Sequence, residues 1–396
     1  MDEVLHWIDD QQEAMLQTLI DWAEINTGSH NTKGIIQFGK HISSAFAELD
    51  ATISSIPLPP HRNINDQGNE EEFETAPAYI IQGAQGRRKS LLLSGHLDTV
   101  YPEQSLFQKT KKKGNNILQG PGVADMKGGL VVMLYTLKAL KISKIQESLS
   151  WTVVLNPDEE IGSPSSASLL EEEARNHDIG LVFEPTLPNG TFISERGGSK
   201  NFAIIAKGKK AHVGREFHLG KNAITALCRV LYELDCYRQT LPQDTTVNIG
   251  KVIGGEALNI VPDFALARFN VRYKADEILH DLEAKVSTMI RSTSEKTGVN
   301  FEFHPLSHRS PKPYDSGTAE MFEHLRRSAK TLEKEIATTS SNGVTDGNVL
   351  SGAGLSNIDT MGVVGGNLHT HDEYMLINSL SEKTKQAVLF LESMTT

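Results

Sequence analysis

Residues 90–100 read SLLLSGHLDTV, a short apolar run that ends in Gly-His-Leu-Asp. Its length and unbroken apolarity are those of a strand covered on both faces. The same alternation recurs outward from it. Residues 128–141, GGLVVMLYTLKALK, have the length and apolar content of a helix packed on a sheet. Residues 151–155, WTVVL, form another strand and run into NPDEEIGS; 165–174 read as a helix, and 180–183 as a strand ending at Glu184. Strands alternating with helices predict an α/β fold with a mostly parallel sheet, whose site lies beyond the carboxyl ends of the strands. The His and acidic motifs fall just after strands.

The pattern changes beyond Glu184. Residues 199–206 alternate like a half-exposed strand, 222–237 form a helix, 246–253 and 264–273 two more strands, 278–297 a second helix, and a further strand begins at 300. That is a compact α+β unit, placed at 191–305 and inserted into a first domain made of 1–190 and 306–396. The stretch before Leu49 carries apolar residues at helical spacing. Residues 61–77, HRNINDQGNEEEFETAP, read as a polar surface excursion with no evident chemistry.

Length and composition set the frame. A chain of 396 residues exceeds the roughly 250–300 at which single cores stop growing, which favours two domains. Hydrophobic and charged fractions of 38% and 22% are ordinary for a globular protein. No apolar run reaches the roughly 18 residues of a membrane span, and the acidic, amphipathic start is unlike a secretory signal, so the cytoplasm is the expected compartment. The net charge of −11 and the lack of a basic stripe argue against nucleic acid and acidic membranes as partners. Cys228 and Cys236, eight apart on one helix, would stand about 12 Å from each other, too far for a disulfide. Both are expected to be free thiols in the core.

Five motifs carry chemistry. His96 and Asp98, two apart on an extended segment, point the same way, so the acid can take one imidazole N–H and leave the other nitrogen for a metal. Asp125, in GPGVADMKGG just before a helix, is placed to be held by helix N-terminal donors while its two oxygens bridge two cations. No GK[ST] follows those glycines, which excludes a phosphate loop. Glu159 and Glu160 are adjacent and diverge, so that one can bind metal while the other faces a bound water. Glu184 ends a buried strand. GGNLHTHDEY offers His369 and His371, between which chemistry alone does not choose. Together these residues make an N/O-rich donor set suited to Zn²⁺.

The order His-x-Asp, Asp, Glu-Glu, Glu, His resembles the M20 metallopeptidase family over nearly the whole chain. The resemblance implies that His96, Asp125 and Glu184 bind one metal, and Asp125, Glu160 and His369 the other. Glu159 matches the general base and Asp98 the residue orienting His96. The family's last His commonly stands four residues before a Glu-Tyr-like pair, here Glu373 and Tyr374, which selects His369 over His371. The inserted unit matches the family's lid and dimerisation domain. Within it, GKKAHVG matches the motif whose His, here His212, reaches the partner subunit's site. EALNIVPDFALARFNVR supplies Asn259 and Arg272 as substrate contacts, although FNVR replaces a family FDVR-like segment and puts Asn270 in place of an acid.

The resemblance therefore implies a homodimeric amidohydrolase with two Zn²⁺ per subunit, Co²⁺ or Mn²⁺ being possible substitutes. Its substrate would be a small peptide or an N-acyl amino acid. The stretch SNGVTDGN at 341–348 and the GGNLH context lean towards a glutamate carboxypeptidase-like reaction. An N-acyl-amino-acid deacylase, of the acetylornithine deacetylase or desuccinylase type, is the alternative. An inactive scaffold of the same fold would lack ligands or base, and none is missing. A serine hydrolase is disfavoured because no G-x-S-x-G elbow occurs.

Overall fold

The computed structural model describes residues 1–85, 89–143 and 145–395. Its larger sheet has six strands in the order Thr52–Ile56, Ala78–Gln85, Leu149–Asn156, Lys89–His96, Ile179–Val182 and Asn357–Ile358. The first two junctions are antiparallel; the Lys89–His96 strand lies parallel to both of its neighbours, and Asn357–Ile358 joins parallel at the edge. The sheet is thus mixed, with its parallel part under the functional motifs.

Both faces are covered, which explains the unbroken apolar run at 91–93. Leu91 and Leu93 pack into the main core with the Lys127–Ser143 and Ser379–Thr395 helices. Leu92 points the other way, into a cluster with Val154, Leu170 and Leu350. The Lys127–Ser143 helix is buried on nearly all sides and so carries no polar stripe. Even Lys127 is inside: its Nζ donates to the carbonyls of Ile25 (2.7 Å) and Trp22 (3.2 Å) and lies 4.9 Å from the Phe38 ring centre.

The second sheet is antiparallel throughout, in the order Thr246–Gly254, Phe264–Tyr273, Gly198–Lys207, Asn300–Arg309. The helices Ala223–Arg238 and Asp276–Thr297 cover one face around Phe202, Ile204, Phe269 and Val271. An α/β sheet with an inserted α+β unit is therefore the architecture. The Asn300–Arg309 strand runs on past residue 305 and delivers Arg309 towards the first sheet.

Two details differ from the sequence reading. Cys228 and Cys236 are free but exposed rather than core, because the buried face of their helix runs through Ala226, Leu227, Val230, Leu231 and Leu234. The polar excursion also has structure of its own. His61–Ile64 and Glu70–Phe73 pair as a hairpin, and Ile64 packs with Ile205 and Leu266 on the open face of the second sheet. Among the described residues, no helix is long and apolar enough to cross a membrane.

Candidate metal centre

Three neighbouring parallel strands deliver their ends to one spot. His96 closes the strand Lys89–His96, Glu159 and Glu160 follow Leu149–Asn156, and Glu184 follows Ile179–Val182. Asp125 enters from the loop before the Lys127–Ser143 helix and His369 from the loop after Gly366. The imidazole Nε2 of His96 lies 3.1 Å from Asp125 Oδ1 and 3.8 Å from Glu184 Oε1. The Nε2 of His369 lies 3.2 Å from both Asp125 Oδ2 and Glu160 Oε2. The two oxygens of Asp125 are thus divided between the two histidines, the arrangement a bridging carboxylate needs.

Electrostatics mark the same residues. Burial pushes Glu160 up to about 8, reinforced by Asp125, and raises Glu184 well above the ordinary carboxylate range. Hydrogen bonds that Asp125 and Glu160 accept from His369 hold its pKa up to about 11. Burial opposes the charge of Asp125, but His369 and His96 overrule it and keep its pKa low. Acids crowded in a buried pocket disfavour a shared negative charge, and bound divalent cations would remove that penalty. Ligand atoms of His96, Asp125 and Glu160 lie within 4.8 Å of one another, as do those of His96, Glu159 and Glu184. Oε1 of Glu160 is buried without a hydrogen-bond partner among the described residues. The donor set fits a pair of metal ions.

Glu159 belongs to the cluster but is held differently. Its Oε1 lies 2.8 Å from Arg309 Nη1, while Arg309 Nη2 donates to the Glu159 carbonyl (3.2 Å), Ser163 Oγ (2.7 Å) and Asp346 Oδ1 (3.0 Å). Burial pushes Glu159 up to about 7 against the pull of Arg309. Nothing in the sequence singles out Arg309, a lone arginine in a polar stretch.

Asp98 does more than orient His96. Its backbone carbonyl, at 2.9 Å, takes the bond to His96 Nδ1, with the carboxylate farther off at 3.4 Å. The carboxylate instead accepts from the amides of Glu159 (3.1 Å) and Glu160 (3.2 Å) and from Ser29 Oγ (2.7 Å). One side chain thereby fixes the backbone of both glutamates. Among the described residues, no helix N-terminal donor holds the Asp125 carboxylate. Its loop is gripped by Glu373, which accepts from the amides of Gly122, Ala124 and Asp125 and from Tyr101 Oη. In the sequence Glu373 served only as a landmark.

His369 occupies the left-handed region (φ 61°), and its side chain is 56% exposed, so the centre opens to solvent on this side. His371 stacks on Phe107 instead (5.5 Å between centroids). The remaining candidates lie on the second sheet and its loops. His212 and Asn259 are exposed and, within one chain, contact none of the centre's residues among those described. Arg272 is half-buried; its Nε donates to Asn270 Oδ1 (3.0 Å) and Nη1 to the Asn342 carbonyl (3.1 Å).

Known proteins of like sequence and fold identify the family. The profile described as Peptidase family M20/M25/M40 matches residues 92–393. Carboxypeptidase G2 of Pseudomonas sp. (strain RS-16) is 28% identical over 392 residues, covering 96% of this chain and 88% of its own. A succinyl-diaminopimelate desuccinylase of Ehrlichia canis is 26% identical, covering 55% of this chain and 63% of its own. Among solved structures, a Staphylococcus aureus tripeptidase superposes with a TM-score of 0.78 at 22% identity over 97% of this chain and 98% of its own. The Bacillus subtilis YXEP protein, described as a dinuclear metal-binding peptidase of the M20 family, gives 0.68 at 16% identity over 97% and 98%.

Proposed function

The chain belongs to peptidase family M20/M25/M40 and is a metal-dependent peptidase or amidohydrolase, and from that premise we propose that it cleaves an amide bond beside a free carboxylate, as a carboxypeptidase does. The observation that carries this reading is Arg272. It is half-buried, faces the 341–345 loop, and has no carboxylate partner among the described residues. Burial and the neighbouring Arg309 both weigh against its charge. A substrate carboxylate would complete it with a bidentate pair that lysine could not reproduce.

His96, Asp125 and Glu184 would hold one Zn²⁺, and Asp125, Glu160 and His369 the other, with Co²⁺ or Mn²⁺ as substitutes. Such a pair supplies charge that acidifies an attacking water and polarises the amide carbonyl. Glu159 takes the proton from that water and returns it to the departing amine. Burial, against the pull of Arg309, raises the affinity of Glu159 for a proton above that of an ordinary carboxylate. Arg309 and Asp98 keep its carboxylate and backbone in register for the exchange.

His212 and Asn259 act from a second copy of the chain. Their exposure supports this, as do the exposed apolar side chains Val213, Phe217, Leu219, Leu258 and Ile260 beside them. Nδ1 of His212 accepts the Gly214 amide, which leaves Nε2–H as the donor an oxyanion needs. Such a donor contributes about 3–4 kcal/mol. A cytoplasmic homodimer is the expected form.

A zinc-loaded panel of N-acyl amino acids and dipeptides, read out by free amine, tests the reaction. Amidating the substrate's C-terminal carboxylate should cost at least 100-fold in kcat/KM, and Arg272→Ala should erase that discrimination. Equal rates on acid and amide would overturn the reading. The partial likeness to desuccinylases keeps N-acyl-amino-acid deacylation as the second reading, and the same panel separates the two.

A further inference from the structure

We infer that the chamber between the 61–73 hairpin and the open face of the second sheet is the subsite for the acyl side of the substrate, and that it receives an extended, uncharged, peptide-like group. The inference rests on the carboxypeptidase reading above and names the substrate class for that site.

The chamber has a volume of about 770 Å³, in the roughly 300–1,000 Å³ range of cavities that bury a whole drug-sized ligand. It adjoins the centre. Ile161, which directly follows the Glu159–Glu160 pair, and His30 line both this chamber and a second cavity of about 610 Å³ whose wall includes Glu160. A path therefore leads from the metal ligands past His30 to the hairpin. On the leaving side a carboxypeptidase substrate stops at its free carboxylate. Only the acyl side can extend far enough to fill such a space.

The walls indicate what fills it. The chamber's cations are already paired: Asp66 of the hairpin lies 2.6 Å from Lys251 and 2.7 Å from Arg268, and Arg62 lies 2.8 Å from Glu72. An acidic acyl group such as succinyl would find no unpaired cation there. Neutral groups remain. The side chain of Asn248 bonds to no other described residue, Ser307 Oγ accepts from Asn201 with its own hydrogen still to give, and His61 Nδ1 is buried without a partner. His61 also stacks on Phe73, 5.0 Å between centroids, with His30 5.8 Å from Phe73, a flat surface beside those polar atoms. Amide, hydroxyl and imidazole groups next to flat rings suit peptide bonds and uncharged side chains.

The hairpin is the outer wall, and it is fastened. Besides the Asp66 pairs, Arg268 donates to the Ile64 carbonyl (2.6 Å), and Ile64 is sunk against Ile205 and Leu266. Releasing it should open the chamber without touching the metal ligands.

The test uses the metal-loaded full chain and compares an N-acetyl amino acid with N-acetyl tri- and tetrapeptides ending in the same residue, and with its N-succinyl form. kcat/KM should rise at least tenfold from the acyl amino acid to the acyl tripeptide. The long-to-short ratio should fall below threefold in Asn248→Leu and in Asp66→Ala. Calorimetry on Glu159→Gln should show tighter binding of the tripeptide, and that gain should vanish when Asn248→Leu is added. A ratio near one in the parent protein, a ratio untouched by both variants, or a preference for the succinyl substrate would each overturn the assignment. Failure of the underlying reading looks different: no substrate of any length is cleaved, or C-terminal amidation costs nothing.

Discussion

Arg309 shows how one residue ties the inserted sheet to the chemistry. Its two terminal nitrogens reach Glu159 and Asp346 separately, a fork that a single ammonium cannot reproduce. Arg309→Lys should therefore keep the charge and lose the geometry. We expect kcat/KM to fall about 10- to 100-fold, part of the 10²–10⁴ a positioned base contributes. The guanidinium also holds a proton off Glu159. Weakening it should move the acid limb of the kcat/KM profile to higher pH; a limb that moves down would contradict this role. The ligands make a second prediction. In the metal-free protein Asp125 and Glu160 hold the His369 pKa up to about 11, so His369 carries a proton at neutral pH. A divalent cation held by His369 would displace that proton. Calorimetry in buffers of different ionisation enthalpy should register net proton release, with affinity weakening as the pH falls.

At the scale of elements, a buried charge cluster joins segments far apart in the chain. Arg196, ending the Phe192–Arg196 strand, pairs with Asp359 at 2.6 Å, and Lys312 lies 3.0 Å from the same carboxylate. Burial opposes the charge of Asp359, but the two cations overrule it and hold its pKa below the ordinary carboxylate value. Asp359→Asn would strand both cations, at a cost of about 3–5 kcal/mol in denaturant unfolding. A carboxylate with a depressed native pKa contributes stability above its unfolded value, near 3.9, and loses it as the pH falls through the folded value. The gap between wild type and variant should accordingly be full at neutral pH and shrink below about pH 4. A gap constant with pH would show that the cations do not depend on the charge of Asp359. The same scale explains the misread hairpin. Alternating polar residues at 61–73 look like solvent-facing loop because their partners, Lys251, Arg268 and Ile205, come from a separate sheet.

At the scale of the whole molecule, the question is whether one chain completes the site. Among the described residues of one chain, His212 and Asn259 contact none of the proposed ligands, and the proposed completion comes from a second copy. His212→Ala and Glu159→Gln should each be nearly inactive alone. A mixed dimer holds one of its two sites with both residues intact, and because random equimolar mixing makes about half of the dimers mixed, activity should recover to about a quarter of the parent's. No recovery in a verified mixed dimer would count against action in trans.

The local pattern of the chain was enough to place strands and helices and to expose the donor motifs. Burial on both faces writes a continuous apolar run, and a strand end followed by His or acid is a contiguous signal. The candidate donors His96, Asp125, Glu160, Glu184 and His369, and the candidate base Glu159, were legible for that reason. The tertiary structure alone decided who holds those residues. Arg309, Glu373 and Ser29 act across separations of 61 to 251 residues, as the numbering of their partners shows, and leave no periodic mark. It also turned Asp98 from a partner of one histidine into the support of two glutamates, and moved the cysteines outward. Sequence spacing records what a residue's own helix or strand does with it, whereas ion pairs and cavity walls depend on which elements meet in space.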